Sequence, residues 1–97
     1  MRVIAKKTLR EFWKKHADSE EQLKTWYKEA SKAKWTNPPD IKKEYAKASI
    51  LKGGRAVFNI CGNKYRLVTD INYKRQWAFI RFIGTHDDYD MIDANTI

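Results

Sequence analysis

The chain has 97 residues, 42% of them hydrophobic, and its four Trp, five Tyr and four Phe provide enough bulk for one packed domain and argue against disorder. Its formal charge of +8 is uneven, with fifteen Lys and Arg against seven Asp and Glu in residues 1–55 and five against five in residues 56–97, so a polyanionic partner such as nucleic acid stands beside the plainer reading of a lysine-rich solvated surface. One cysteine, Cys61, can form neither an internal disulfide nor a zinc site alone, and with no signal-type or membrane-spanning apolar run the chain is expected to be soluble and cytoplasmic.

Arg2 to Ala5 reads as a short edge strand. Thr8 and Glu11 fit a capping box, and Leu9, Phe12, Trp13 and His16 recur at helical spacing, which predicts a helix over 8–16. Asp18 or Ser19 is expected to cap a second, amphipathic helix over 19–34, with Leu23, Trp26, Tyr27, Ala30 and Ala33 on its apolar stripe. Trp13, Trp26 and Tyr27 are read as core residues in preference to a base-stacking platform. Pro38 and Pro39 stop that helix, and residues 40–54 are hard to read beyond a capped turn at Asp40 and a basic turn at Lys52-Gly53-Gly54.

From Arg55 the period changes to two. Ala56 to Ile60 is a strand, and Gly62-Asn63 is expected to supply the positive-φ residues of a hairpin. In the next strand Tyr65, Leu67, Thr69, Ile71 and Tyr73 face a core, while Arg66, Val68, Asp70, Asn72 and Lys74 face away. Trp77 to Ile83 is nearly all apolar, so it is expected at the centre of the sheet, covered on most of both faces, with Gly84 ending it. Thr85 to Asp88 then resembles a capping box that opens a short last helix at His86.

That last helix carries the chemistry. His86, Tyr89 and Asp90 share one face, and His86 stands at a strand end with a side chain suited to proton transfer. Arg66 and Lys74, on the neighbouring strand, are the cations placed to hold a phosphodiester. Three alternatives stay open: a capped helix beside a basic surface, a divalent metal on His86, Asp90 and Asp93 at i, i+4 and i+7, and a weaker nucleophilic pair of Cys61 with His86.

The segment "VFNICGNKYRLVTDINYKRQWAFIRFIGTHDDYDMIDA", residues 57–94, resembles the HigB family of toxins from type II toxin–antitoxin modules, in VFNI-x-GN-x-YRL and in IRFIGTH-x2-YD-x-IDA. The opening "MRVIAKKTLREFWKKHADSE" and "DIKKEYAKASIL" extend the resemblance over the chain, as one toxin domain spanning residues 1–97. It implies an α+β, RelE-like fold: an N-terminal strand and a three-stranded meander in a small, mostly antiparallel sheet, against two N-terminal helices, with a short C-terminal helix. It also implies a ribosome-dependent mRNA interferase that cuts in the ribosomal A site by metal-independent 2′-OH attack, without a cofactor. The expected partners are mRNA, the ribosome and a HigA-like helix-turn-helix antitoxin, with operator DNA reached only through the antitoxin complex and no membrane contact. By position, Arg66 matches the phosphate-binding arginine of the YRL strand, Tyr89 the tyrosine of the C-terminal segment, and His86 the strand-end place where RelE has an arginine. Lys64, Lys74 and Arg81 are assigned to RNA, and Asp90 supports His86. Arg81, grouped by parity with Trp77, Phe79 and Ile83, has a buried structural pair as its alternative. A non-catalytic antitoxin-binding module and a metal-dependent hydrolase remain the competing functions.

Overall fold

Period-two alternation from residue 55 onward builds most of a sheet, and the amphipathic segments before it build the layer that covers one face. A computed structural model describes all of residues 1–97. Its strands are β1 (Arg2–Ile4), β2 (Ser49–Ile50), β3 (Arg55–Ile60), β4 (Tyr65–Asn72) and β5 (Trp77–Thr85). Its helices are α1 (Lys6–Lys15), α2 (Glu20–Lys32), α3 (Pro38–Glu44) and α4 (His86–Asp90). The strand order is β1-β5-β4-β3-β2, antiparallel throughout except that β1 runs parallel to β5. This is the expected α+β, RelE-like arrangement, with β2 as an additional strand.

The core lies between the sheet and the helices α1 and α2. Leu9, Trp13, Leu23, Trp26 and Ala30 meet Phe58, Ile60, Tyr65, Leu67, Ile71 and Ile80 there. Each large apolar side chain so buried contributes about 1.5–3 kcal/mol. Trp13 and Trp26 are therefore core residues, as their helical spacing predicts. Thr69 is buried among them and donates its hydroxyl to the Ala56 carbonyl at 3.1 Å.

Several local expectations are corrected. Helix α1 begins two residues before Thr8: Ala5, at φ 76°, takes the N-cap place, and the Thr8 amide donates to the Ala5 carbonyl, so the Thr8–Glu11 box does not form. Neither Asp18 nor Ser19 caps α2; the Ser19 hydroxyl donates to His16, and Asp18 is drawn across to the β3–β4 turn. The proline pair opens a helix as well as stopping one. Pro38 starts α3, and the Asn37 side chain accepts from the Asp40 amide at 3.1 Å, because the first helical position needs no N–H. In the hairpin the positive-φ residues are Cys61 and Gly62, at 54° and 67°, one place earlier than expected.

The largest correction concerns β5. The central strand is β4, and β5 alternates, with Trp77, Phe79 and Arg81 exposed and Ala78 and Ile80 buried. Its apolar character outside the core is aromatic, and cations cover those rings: Arg75 lies 5.3 Å from the Trp77 ring and Arg81 4.5 Å from the Phe79 ring. A bulge opposite Val68 and Thr69 makes Arg81 the extra residue, so parity breaks there, and Ile83 returns to the core while Arg81 does not. Arg81 is an exposed residue 3.4 Å from Asp70, not a buried pair. Gly84 does not end the strand, which continues to Thr85. Val68, assigned to the polar face, is buried there: Val57, Val68 and Ala94 form a second small core, joined by Phe82, Tyr89 and Ile97 as the C-terminal segment folds over the sheet.

Candidate active site

The C-terminal end of β5, the β3–β4 turn and α4 meet at one rim of the sheet. The Thr85 hydroxyl accepts from the Asp88 amide at 3.1 Å, and the Asp88 carboxylate accepts from the Thr85 amide at 3.4 Å, the capping box read in the sequence. The His86 amide donates to the Lys64 carbonyl at 2.9 Å, which fastens the start of α4 to the turn. Gly84 permits the close packing: a Cβ there would stand 2.6 Å from Cζ of Phe82 and 3.2 Å from Cβ of Asp88. His86 is thereby fixed at both its backbone and its neighbours.

Its ring is fixed too. Nδ1 lies 3.0 Å from Oδ2 of Asp90, one helical turn on, with both side chains partly open to solvent. When Nδ1–H donates to the Asp90 carboxylate, Nε2 presents its lone pair to a substrate. Arg66 pairs in register with Gly84, two residues before His86, on the sheet face turned away from α1 and α2. Asn63 orients its guanidinium: Nη2 donates to Asn63 Oδ1 at 2.5 Å and Nη1 to the Asn63 carbonyl at 3.2 Å. The same guanidinium lies 6.0 Å from the Tyr89 ring, whose own position is set by the small core of Val57, Val68 and Phe82. Arg66, His86, Tyr89 and Asp90 are thus brought to one place. A cation, an imidazole and a phenol on a common rim can neutralise a phosphate and move protons to and from it.

The remaining sequence-predicted residues fall out differently. Lys74 follows the far end of β4, roughly 25 Å from Arg66 at strand spacing, and does not join the group. Arg81 lies mid-strand, engaged with Asp70 and Phe79. Lys64 is adjacent, but its ammonium is in an ion pair with Asp18. Asp18 also accepts from the Tyr65 hydroxyl at 2.6 Å. Hydrogen bonds from Lys64 and then Tyr65 hold the Asp18 carboxyl below its usual range, while the Asp18 bond raises Lys64 and Tyr65. Asn63 and Asp18 are the supporting residues that the sequence reading missed. The YRL motif flags the arginine, but no spacing rule marks a partner that is local only because the turn is tight.

Both chemical alternatives change. Asp93 lies beyond α4 and binds the turn at Asn95 and Thr96, so it leaves the predicted metal trio. Asp87 replaces it, since ligand atoms of His86, Asp87 and Asp90 all lie within 4.8 Å of one another. Cys61 sits in the turn, not the strand, with its Sγ donating to the Asp18 carbonyl at 3.3 Å. Burial and then Asp18 push its thiol up, so it is protonated and a poor nucleophile near neutrality.

None of the four surface cavities is lined by Arg66, His86 or Tyr89. The group sits on an open rim. No helix is long and apolar enough to cross a membrane.

Comparison with known proteins gives the family of the chain. Over 96 residues the chain is 26% identical to a protein of Escherichia coli K12 named mRNA interferase toxin HigB, covering 97% of this chain and 92% of that one. Proteins named mRNA interferase HigB from Escherichia coli O157:H7 and Shigella flexneri match with the same figures. The sequence pattern of the HigB toxins, described as the RelE-like toxic component of a toxin–antitoxin system, matches residues 19–92, and the chain belongs to that family.

Proposed function

We propose that this toxin is a ribosome-dependent endoribonuclease that cuts translating mRNA and so inhibits translation. The observation that carries the reading is the convergence of Arg66, His86 and Tyr89 on a rim without a pocket. Such a site has groups for phosphate chemistry but no walls to orient a flexible RNA strand. Orientation of reacting groups is worth several kcal/mol of barrier, about 7–11 at best, and a second body must supply it. The ribosome, which presents mRNA in a fixed path at the A site, fits that need.

In the proposed reaction the RNA 2′-OH attacks its adjacent phosphorus. The 2′-O–P bond forms as the P–O5′ bond breaks, leaving a 2′,3′-cyclic phosphate and a 5′-hydroxyl. Arg66 neutralises the charge that grows on the phosphoryl oxygens. His86 and Tyr89 share the two proton transfers, from the 2′-OH and to O5′, with Asp90 holding the His86 ring. No metal is needed in this scheme. The partner that restrains the toxin is a HigA-type helix-turn-helix antitoxin, with operator DNA met through that complex, in the cytoplasm.

The trio of His86, Asp87 and Asp90 gives a metal-dependent hydrolase one specific observation in its favour. Translation of a defined mRNA in a purified bacterial system, with primer extension to map cuts, separates the readings. Cuts that require ribosomes, persist with a chelator specific for transition metals, and fall about 10²-fold or more in His86→Ala and Arg66→Ala support the interferase. Loss of cutting with that chelator and its return with one added metal would favour the hydrolase. Uncut mRNA in every arm, from folded protein, would leave a non-catalytic antitoxin partner.

A further inference from the structure

On the side of the molecule opposite Arg66 and Tyr89, helices α1 and α2 enclose a groove of about 590 Å³ lined by Lys6, Arg10, Trp13, Lys24, Tyr27 and Lys28, with Ser31 at one end. We propose that this groove is a second nucleic-acid site, one that holds an RNA phosphate backbone without reading its bases.

Four cations converge there, and only Lys24 has a carboxylate partner, Glu20 at 2.5 Å. Lys6, Arg10 and Lys28 form no ion pair. The arrangement follows from helical spacing: Lys6 and Arg10 are one turn apart on α1, and Lys24 and Lys28 one turn apart on α2. The two rows therefore face each other across the groove and repel. A bound polyanion removes that repulsion.

The floor decides which polyanion. A docking peptide helix needs apolar pockets for its anchor side chains. Here the two rings of the floor are occupied: the Lys6 ammonium lies 4.3 Å from the Tyr27 ring centre and the Lys24 ammonium 5.5 Å from that of Trp13. Trp13 is itself buried. The same occupied rings offer no open face for a base to stack on. What remains is a charged trough suited to a continuous string of phosphates. The choice of RNA over DNA rests on the cleavage reading above, since a toxin that works on the ribosome is surrounded by RNA.

The test uses the full chain and a fluorescent RNA duplex, whose paired bases cannot enter the cleavage rim. Neutralising four phosphates of a duplex contributes about −3.6 to the slope of log affinity against log salt, or about a 150-fold loss between 50 and 200 mM salt. The variant Lys6→Ala/Arg10→Ala/Lys24→Ala/Lys28→Ala is expected to lose that increment, and RNA is expected to raise the Tm of the parent but not of the variant. Lys28→Ala alone, an exposed change that leaves folding intact, is expected to reduce the slope by about one quarter of the increment. Arg66→Ala is expected to keep duplex binding while losing cleavage, so failure of the catalytic reading and failure of this one give different patterns. An unchanged slope in both Lys28→Ala and the fourfold variant would overturn the proposal. So would a fourfold variant that still binds the RNA duplex with the parent's affinity but no longer binds the antitoxin.

Discussion

Asn63→Ala isolates the support of the candidate phosphate-binding group without touching that group. In the structure Asn63 gives Arg66 one side-chain acceptor, Oδ1 at 2.5 Å, and one backbone acceptor, its carbonyl at 3.2 Å. The substitution removes the first and keeps the second. A hydrogen bond to a charged group is worth about 1.5–3 kcal/mol, and this one is exposed, so the lower end applies. If that orientation is retained in the transition state, its loss slows cleavage about tenfold, since 1.4 kcal/mol is one decade. Arg66→Ala removes the cation itself and is expected to cost about 10²-fold or more. The decisive sample is the double variant: with Arg66 gone, Asn63 has nothing to orient, and the second change is expected to add nothing. Cleavage would be followed by primer extension in the purified translation system, with thermal melting to show that all three variants fold. Cleavage by Asn63→Ala at the parent rate, or a full tenfold penalty persisting on the Arg66→Ala background, would refute the orienting role.

Three further perturbations test the frame. Gly84→Ala places a methyl 2.6 Å from Phe82 and 3.2 Å from Asp88, an overpacking that costs about 1–3 kcal/mol; with about 4–8 °C of Tm per kcal/mol, an unchanged melt would mean that α4 is not held as described. The Asp18 carboxyl is depressed below its ordinary value of 3.8, so the stability it confers is present above that value and lost as pH falls through its lower folded pKa; urea unfolding across acid pH is expected to show that limb flattened in Asp18→Asn, and an identical limb would contradict the tie to Lys64 and Tyr65. Lys74→Ala, at the far end of β4, is expected to leave cleavage within about twofold of the parent, as surface changes remote from a site do; a loss comparable to that of Arg66→Ala would place Lys74 on the RNA path after all.

The sequence discloses those parts of the fold whose signal is local. Alternation from Tyr65 to Ile71 gives the face of β4, and the Thr85–Asp88 box gives the start of α4, because a strand's pleat and a helix's first turn are decided by neighbours. The misreadings share a cause, which is tertiary capture of a locally plausible residue. Asp18 is a good cap in isolation, but Lys64 and Tyr65 compete for its carboxylate and win. The apolar run of β5 looks doubly covered, yet Trp77 and Phe79 stay exposed on the outer face, with arginine side chains over their rings. Strand order depends on where β1 inserts, a non-local event, so β5 is one place from the edge and β4 takes the centre. At the site, Arg66, His86 and Tyr89 were legible through motif and strand end, whereas Lys74 was grouped with them by face alone, without regard to the length of the strand between.

The acids around His86 make sense once each is placed. Asp88 closes the capping box, Asp90 holds Nδ1, and Asp87 stands in the first turn, where the helix dipole favours a negative charge. Two of the three therefore have positioning work that a neutral residue would do less well, and both act on the geometry of one imidazole. The cost is that carboxylates repel an incoming phosphate at the rim. In the proposed scheme Arg66, in register with Gly84 and oriented by Asn63, offsets that repulsion where the phosphate would sit. The basic helices cannot do so, because their groove lies on the opposite side of the sheet. With a net charge of +8 the chain favours polyanions generally, whereas the candidate rim itself holds few cations. On the reading proposed above, strong general attraction and slow cutting of free RNA are expected from the same charge distribution, with alignment left to the ribosome.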